Sequence, residues 1–254
     1  MSFKRVDQLP LTDECKHYDS VDEVPWDLQK YWHQAYSLFQ YYDDDIRLTD
    51  DAWFGVTPEP VAVRIAQDLG TISPPAKSTI VDIFAGAGGN VIAFALSERW
   101  ERIIAVEKDP ATLACAQHNA LVYGVPEGRI TWVLGDCFDY LAAAKDGDAA
   151  VKDRLEPELQ IDRATTTIFA SPPWGGVSYR DHDVFDLSVM QPYGLKKLSQ
   201  ACEPWEYTLF LPRTSDLRQI AKLAPEGKKI EVVQYCMEGA SKAMVVYVPE
   251  SETV

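Results

Sequence analysis

The sequence predicts an α/β protein with a doubly wound, mostly parallel sheet of seven strands and a small helical extension at its N-terminal side. From residue 78 onward, short apolar segments alternate with segments of helical periodicity, the pattern of β-α units in a parallel sheet. The first apolar segment runs directly into a glycine-rich turn, as strands do in nucleotide-binding folds. The last two apolar segments lie close together and predict an antiparallel pair that closes the sheet.

Seven apolar segments are the predicted strands. In chain order they are STIVDIFAG (78–86), RIIAVEK (102–108), RITWVLGD (129–136), TTTIFASPPW (165–174), EYTLFLPR (206–213), KKIEVVQYCM (228–237) and KAMVVYVPE (242–250). The segment NVIAFALSERW (90–100) is a predicted helix. Asp109 is predicted to cap the next helix, with Pro110 in its first turn and Gly124 at its end.

The rest of the chain predicts additions to this domain, which is assigned to residues 61–254. Residues 1–20 are polar and irregular, and they are predicted to form a flexible arm. Apolar positions recur at helical spacing between Trp26 and Tyr42, so residues 21–60 are predicted as a helical extension. The charged, weakly patterned residues 145–163 are predicted as a surface insertion. No segment approaches transmembrane length, and a monomer without membrane association is expected.

Charge limits the kind of partner. The chain has 24 Lys and Arg residues against 39 Asp and Glu residues, a net charge of −15. A protein that binds long nucleic acid nonspecifically is usually basic, because affinity comes largely from phosphate neutralisation. A nucleic-acid substrate must therefore be held at a small local site. The five cysteines are scattered without metal-ligand spacing, so reduced thiols and no metal site are expected.

A cofactor site is predicted where the first three strands end. Asp82 precedes a G-x-G-G turn that contains Gly86 and Gly88, where glycines let the backbone approach a ligand closely. Glu107 ends the second strand, where a ribose diol would be hydrogen-bonded. Asp136 follows the third strand and is placed to accept a hydrogen bond from an adenine amino group. A plain tight turn and exposed strand-end carboxylates remain the alternatives.

A catalytic segment is predicted at the end of the fourth strand, which reads Ser171-Pro172-Pro173-Trp174. Two successive prolines restrict the backbone, so the Pro172 carbonyl and the Ser171 hydroxyl can act as fixed acceptors for the N–H groups of an amine. Trp174 offers a flat face for a heterocycle. The alternative is a rigid core turn with a packed indole.

These motifs resemble those of known enzymes. The glycine turn with its acidic residues is similar to the class I, Rossmann-like, S-adenosylmethionine-dependent methyltransferases, and SPPW resembles the signature of amino-group methyltransferases. Together with WFGVTPE (53–59), DIFAGAGGN (82–90), SPPWGG (171–176) and FLPR (210–213), the chain resembles the trimethylguanosine synthase family over about residues 25–248.

The resemblance implies an RNA cap hypermethylase that converts 7-methylguanosine to the 2,2,7-trimethyl form. It implies S-adenosyl-L-methionine as cofactor, S-adenosyl-L-homocysteine as product and no metal. Within the matching segments, the cofactor-binding set gains Thr57, Phe84, Asn90 and Ser171. Trp174 would stack on the methylated base, and Arg47, Tyr179 and Arg213 would lie near the cap phosphates. Where relatives have lysine, this chain has Arg47, which keeps the charge and changes its shape.

The resemblance also implies partners and a location: capped small nuclear and nucleolar RNAs, core proteins of their particles, and the nucleus, in particular the nucleolus, with a cytoplasmic pool as an addition. Two alternatives stay open. One is another exocyclic-amino methyltransferase, acting on adenine N6, on guanine N2 in structured RNA or on a protein glutamine. The other is a non-catalytic scaffold that binds ribonucleoprotein particles, against which the intact SPPW, Asp82 and Glu107 argue.

Overall fold

The computed structural model describes residues 3–145, 155–176, 182–237 and 239–251. The chain forms two compact units, Met1–Gln160 and Ile161–Val254. The seven strands of the predicted α/β class are present: β1 Thr79–Asp82, β2 Arg102–Glu107, β3 Thr131–Leu134, β4 Thr166–Ala170, β5 Glu206–Pro212, β6 Glu231–Met237 and β7 Ala240–Val248. The α-helices of the described residues are α1 Gln29–Trp32, α2 Ala35–Leu38, α3 Ala52–Gly55, α4 Glu59–Ile72, α5 Gly89–Leu96, α6 Pro110–Val122, α7 Cys137–Lys145, α8 Leu195–Cys202 and α9 Leu217–Ile220.

The first unit is built on three parallel strands in the order β3-β2-β1. All four residues of β1 and the central residues of β2 are buried, as expected for strands covered on both faces. Helix α4 buries one stripe of its surface, formed by Val61, Ala62, Ile65, Ala66 and Leu69. Asp109 caps α6 by accepting a hydrogen bond from the Thr112 amide at 2.7 Å, which confirms the predicted start of that helix.

Residues 3–18, predicted as part of a flexible arm, make several contacts within the first unit. Arg5 forms an antiparallel bridge with Val133 of β3, and the buried Phe3 bridges Leu155. Further along, the Leu9 amide donates to the Gln117 side chain at 2.8 Å. These contacts join residues more than a hundred positions apart, and no local pattern in the sequence reveals them.

The predicted helical stripe between Trp26 and Tyr42 is interrupted. Helices α1 and α2 are separated at Gln34, whose backbone lies outside the helical region. Aromatic residues and histidine are weak helix formers, and long-range bonds compete with a longer helix here. Trp32 donates its indole N–H to the Tyr18 carbonyl at 3.0 Å.

Part of the predicted insertion, residues 146–154, lies outside the described residues. Two leucines anchor the described remainder. Leu155 and Leu159 are buried, and the Leu159 carbonyl accepts a hydrogen bond from the hydroxyl of Tyr140 at 2.9 Å. The boundary between the two units, after Gln160, falls inside this segment.

The second unit contains β4 parallel to β5, followed by the antiparallel partners β7 and β6. This confirms the predicted closing pair. Strands β4 and β5 are almost entirely buried, and the amphipathic α8 buries Leu195, Leu198 and Cys202. In the described part of the chain, no helix is long and apolar enough to cross a membrane.

Candidate active site

The glycine turn after β1 has a backbone that requires its glycines. Gly86 and Gly88 have φ values of 53° and 100°, in the left-handed region that side chains with a Cβ rarely adopt. Gly88 is also the N-cap of α5, and a Cβ there would lie 3.0 Å from Cδ1 of Ile92. The turn therefore brings bare backbone to the start of a helix, the usual place for a bound nucleotide.

Glu107 organises the loops at the ends of two strands. One carboxylate oxygen accepts the Gly86 amide at 3.0 Å, and the other accepts the amides of Lys108 at 2.8 Å and Asp109 at 3.0 Å. Burial raises the pKa of Glu107, and these backbone hydrogen bonds lower it in part. The carboxylate thus fixes the glycine turn and concentrates negative potential beside it.

Asp82 is a fully buried carboxyl group at the end of β1. Its Oδ1 accepts the Phe84 amide at 3.1 Å, whereas its Oδ2 makes no hydrogen bond to the described residues. Burial, with a smaller contribution from nearby Glu107, raises its pKa to about 7. Such an orphaned oxygen is costly unless a ligand pairs with it.

Thr57 and Asn90 are joined beside the same turn. The Asn90 amide donates to the Thr57 hydroxyl at 3.0 Å, and the buried Oδ1 of Asn90 has no partner among the described residues. The Thr57 carbonyl lies against Gly89, where an added Cβ would approach it to 3.3 Å. The segment before α4 therefore closes one side of the glycine turn.

Asp136 is next to Gly135, whose amide donates to the Glu107 carbonyl at 2.9 Å. Its Oδ1 accepts the amides of Phe138 at 2.8 Å and Asp139 at 3.2 Å, at the start of α7. One oxygen of this carboxylate is therefore engaged in its own turn. A hydrogen bond from an adenine amino group would be accepted by the second carboxylate oxygen of Asp136.

The predicted cofactor residues of the first unit thus form one connected group at the ends of β1, β2 and β3. Their chemistry fits S-adenosyl-L-methionine in three ways. The acidic side chains of Asp82, Glu107 and Asp136 suit its positive charges, the unpartnered oxygens of Asp82 and Asn90 can accept hydrogen bonds, and the glycine turn presents backbone at the start of α5. Ser171, the remaining predicted cofactor residue, belongs to the second unit and is half-buried.

Trp174 is held in one orientation within the second unit. Its indole N–H donates to the Phe210 carbonyl at 3.2 Å, and its ring is nearly parallel to the Phe210 ring, with 18° between the planes and 5.6 Å between the centroids. Pro172 is buried and Pro173 is exposed. Gly175, which follows, has a φ of 87° and passes close to Gln191. These contacts hold the indole against Phe210.

The residues predicted near the cap phosphates are distributed over the chain. Arg213, after β5, is exposed, and its guanidinium is 3.5 Å from the Ser241 carbonyl. Arg47 is in the first unit, where it forms an ion pair with Asp45, and its Nε is buried without a partner among the described residues. Tyr179 lies outside the described residues.

Sequence reasoning missed two residues of α6 that hold the Arg47 segment. His118 contacts both the carbonyl, at 2.8 Å, and the carboxylate, at 3.2 Å, of Asp45. Asn119 is fully buried and bonds to the backbone of Arg47 and Ala87. Asparagine is a poor helix former, so its presence inside the predicted helix could have indicated a specific role for Asn119.

No group of three or more His, Cys, Asp or Glu residues that could hold a metal ion is found among the residues described.

Comparison with solved structures shows the fold. A candidate methyltransferase from Porphyromonas gingivalis has a TM-score of 0.58 at 16% identity, covering 91% of this chain and 52% of its own. The O-methyltransferase TomG from Streptomyces achromogenes, solved in complex with SAM, has a TM-score of 0.50 at 12% identity, covering 90% of this chain and 92% of its own. These likenesses define the class of fold: an α/β protein with a mostly parallel seven-stranded sheet.

Sequence comparison gives the family. A model of the RNA cap guanine-N2 methyltransferases matches residues 77–251. Trimethylguanosine synthase of Schizosaccharomyces pombe is 35% identical over 230 residues, which cover 88% of this chain and 87% of the relative. Trimethylguanosine synthase of Saccharomyces cerevisiae is 34% identical over 226 residues, which cover 87% of this chain and 66% of the relative. The chain belongs to the RNA cap guanine-N2 methyltransferase family, as its resemblance predicted.

Proposed function

We propose that this enzyme transfers two methyl groups from S-adenosyl-L-methionine to N2 of a 7-methylguanosine cap and forms the 2,2,7-trimethylguanosine cap of small nuclear and nucleolar RNAs. The relatives named trimethylguanosine synthase support this substrate. The proposal includes a nuclear location, core proteins of the RNA particles as partners and a monomeric enzyme.

The first unit would hold the cofactor. S-adenosyl-L-methionine, when bound, supplies a methyl group on a positively charged sulfur. Glu107 would accept from the ribose hydroxyls, and Asp136 would accept from the adenine amino group through its second oxygen. The unpartnered oxygens of Asp82 and Asn90 would accept from donors of the cofactor's amino acid part, with Thr57, Phe84 and the backbone of Gly86 and Gly88 around it.

The second unit would hold the base. An exocyclic amine is a weak nucleophile because its lone pair is delocalised into the ring. The Ser171 hydroxyl and the Pro172 carbonyl would accept its N–H groups and orient the lone pair. In 7-methylguanine the ring is cationic, which acidifies N2 and makes loss of its proton easier. A strong dedicated base is therefore not required.

The observation that carries the proposal is the fixed indole of Trp174, set directly after two prolines and bonded to the Phe210 carbonyl. A cationic base stacked on an indole gains a cation–π attraction of about 1–2 kcal/mol. An uncharged guanine does not gain this cation–π attraction. The site is thus suited to a base that already carries its N7 methyl group.

The test is methyl transfer from labelled S-adenosyl-L-methionine to two cap dinucleotides, one with 7-methylguanosine and one with guanosine. Loss of the cation–π term alone should weaken binding of the unmethylated cap roughly tenfold. Because the N2 amine is also less acidic there, the deficit in kcat/KM should exceed the deficit in binding. Similar turnover of both substrates would refute the proposal and favour a general amino-group methyltransferase.

Cap phosphates would be held by arginine side chains. Arg213→Ala should raise KM for the 7-methylguanosine cap dinucleotide roughly five- to tenfold, with kcat little changed, because a charge-assisted hydrogen bond to phosphate is lost. The KM of the variant should also depend less on salt. Arg218→Ala is the matched control, since Arg218 is exposed in the same unit but paired with Asp216 at 2.8 Å. Equal kinetics of the Arg213 variant and the wild type would exclude this role.

A further inference from the structure

The Arg47 segment and the glycine turn are linked by one buried side chain. Asn119, in α6, is fully buried. Its Oδ1 accepts the Arg47 amide at 2.8 Å, and its Nδ2 donates to the carbonyl of Arg47 at 2.9 Å. The same Nδ2 donates to the Ala87 carbonyl, also at 2.9 Å. Both amide hydrogens of Asn119 are therefore used, one toward each segment.

The chemistry of this link selects asparagine. One edge of the carboxamide pairs with both the N–H and the C=O of Arg47, as the backbone of a neighbouring strand would. A rotated carboxamide would set its oxygen against two carbonyls and its nitrogen against an N–H group, so the orientation is determined by its partners. An aspartate of the same size would bring a carboxylate against those carbonyl oxygens.

The two linked segments carry different parts of the proposed site. Ala87 lies between Gly86 and Gly88 in the glycine turn, where the Gly86 amide is held by Glu107. Arg47 carries a guanidinium oriented by Asp45, and Asp45 is itself held by His118, the neighbour of Asn119 in α6. Ordering of the turn therefore constrains Asn119, and Asn119 constrains the backbone from which the guanidinium extends.

We propose that Asn119 is a positioning residue that couples cofactor binding at the glycine turn to cap binding at Arg47. This inference rests on the proposed function, because it takes the cofactor and a cap phosphate as the ligands of the two segments. Binding of either ligand orders the shared carboxamide, so the second ligand meets a segment that is already ordered. Such coupling is reciprocal: each ligand raises the affinity for the other by the same factor.

The test is a binding cycle with S-adenosyl-L-homocysteine, which cannot react, and the 7-methylguanosine cap dinucleotide. In the wild type, each ligand should tighten the other about fivefold or more, within the usual range of such coupling. In Asn119→Ala the coupling should fall to a factor near one. Gln117→Ala is the matched control: Gln117 is on the same helix, 2% exposed, and bonded to the backbone of Leu9 and Asp7 instead.

The control variant loses two part-buried hydrogen bonds of the same helix, so its stability should fall while its coupling remains. If Asn119→Ala does not fold, hydrogen exchange of the wild-type protein tests the same coupling. In hydrogen exchange, S-adenosyl-L-homocysteine alone should slow exchange of the Arg47 amide and leave the Leu9 amide unchanged. Coupling that persists in Asn119→Ala, or an Arg47 amide unaffected by S-adenosyl-L-homocysteine, overturns the inference. A wild-type enzyme that does not bind the cap dinucleotide overturns the proposed function as well.

Discussion

Replacement of Trp174 by alanine is expected to lower kcat/KM on the 7-methylguanosine cap dinucleotide by roughly 100-fold or more. Stacking of a base on an aromatic side chain contributes about 1–3 kcal/mol, and the positive charge of the base adds to it. The affinity for S-adenosyl-L-homocysteine should stay nearly unchanged, because Trp174 belongs to the acceptor side of the proposed site. Steady-state kinetics and calorimetric titration of the same preparation measure both quantities.

Two further variants test whether loss of the stacking face causes the expected fall in kcat/KM. Trp174→Phe should retain part of the activity, since a ring face survives while the hydrogen bond to the Phe210 carbonyl is lost. Trp26→Ala removes an indole that is 86% exposed in the first unit, and its kinetics should match the wild type. If Trp174→Ala weakens cofactor and cap equally, the indole supports the fold rather than the base.

Asp82 should make the stability of the protein depend on pH in a direction opposite to that of an ion-paired aspartate. Its pKa is raised from 3.8 to about 7 in the folded protein, so the folded state keeps a proton that the unfolded chain releases. The contribution of Asp82 to stability is therefore complete below about pH 4 and is lost as the pH rises through about 7. An asparagine side chain does not titrate in this range, so the substitution Asp82→Asn isolates the effect.

The free energy of unfolding of Asp82→Asn minus that of the wild type should rise by about 1.4 kcal/mol for each pH unit between about 4 and 7, and then level off. Urea denaturation at a series of pH values, without cofactor, measures the difference. Asp139→Asn, an exposed aspartate on α7, controls for the removal of one carboxylate. A difference that does not change with pH would show that Asp82 ionises like an ordinary aspartate.

Much of the fold could be predicted because its signals are local. The strands show as short apolar segments, the Asp109 cap and Pro110 mark the start of α6, and Gly86 and Gly88 mark the turn after β1. Each of these follows from the conformational preferences of a few neighbouring residues. The same holds for the rigid Pro172-Pro173 segment before Trp174.

Other parts depend on partners that are far away in the sequence. The contact of His118 with Asp45, and the link from Asn119 to both Arg47 and Ala87, join residues that no periodicity connects. The burial of Asp82 could be predicted from its place on an apolar strand, whereas the lack of a partner for its second oxygen could not. Such features arise from packing, and a single sequence does not encode their geometry in any short motif.

The bridge between Arg5 and Val133 has a consequence for self-association. β3 is the terminal strand of its sheet, and a terminal strand with unpaired backbone groups is a template for edge-to-edge aggregation. The Val6 amide donates to the Trp132 carbonyl at 2.9 Å, so the segment beginning at Phe3 occupies part of that edge. Phe3 in turn bridges Leu155, which anchors the start of this covering segment. Because the covering segment precedes β3 in the chain, it has already been synthesised when β3 emerges.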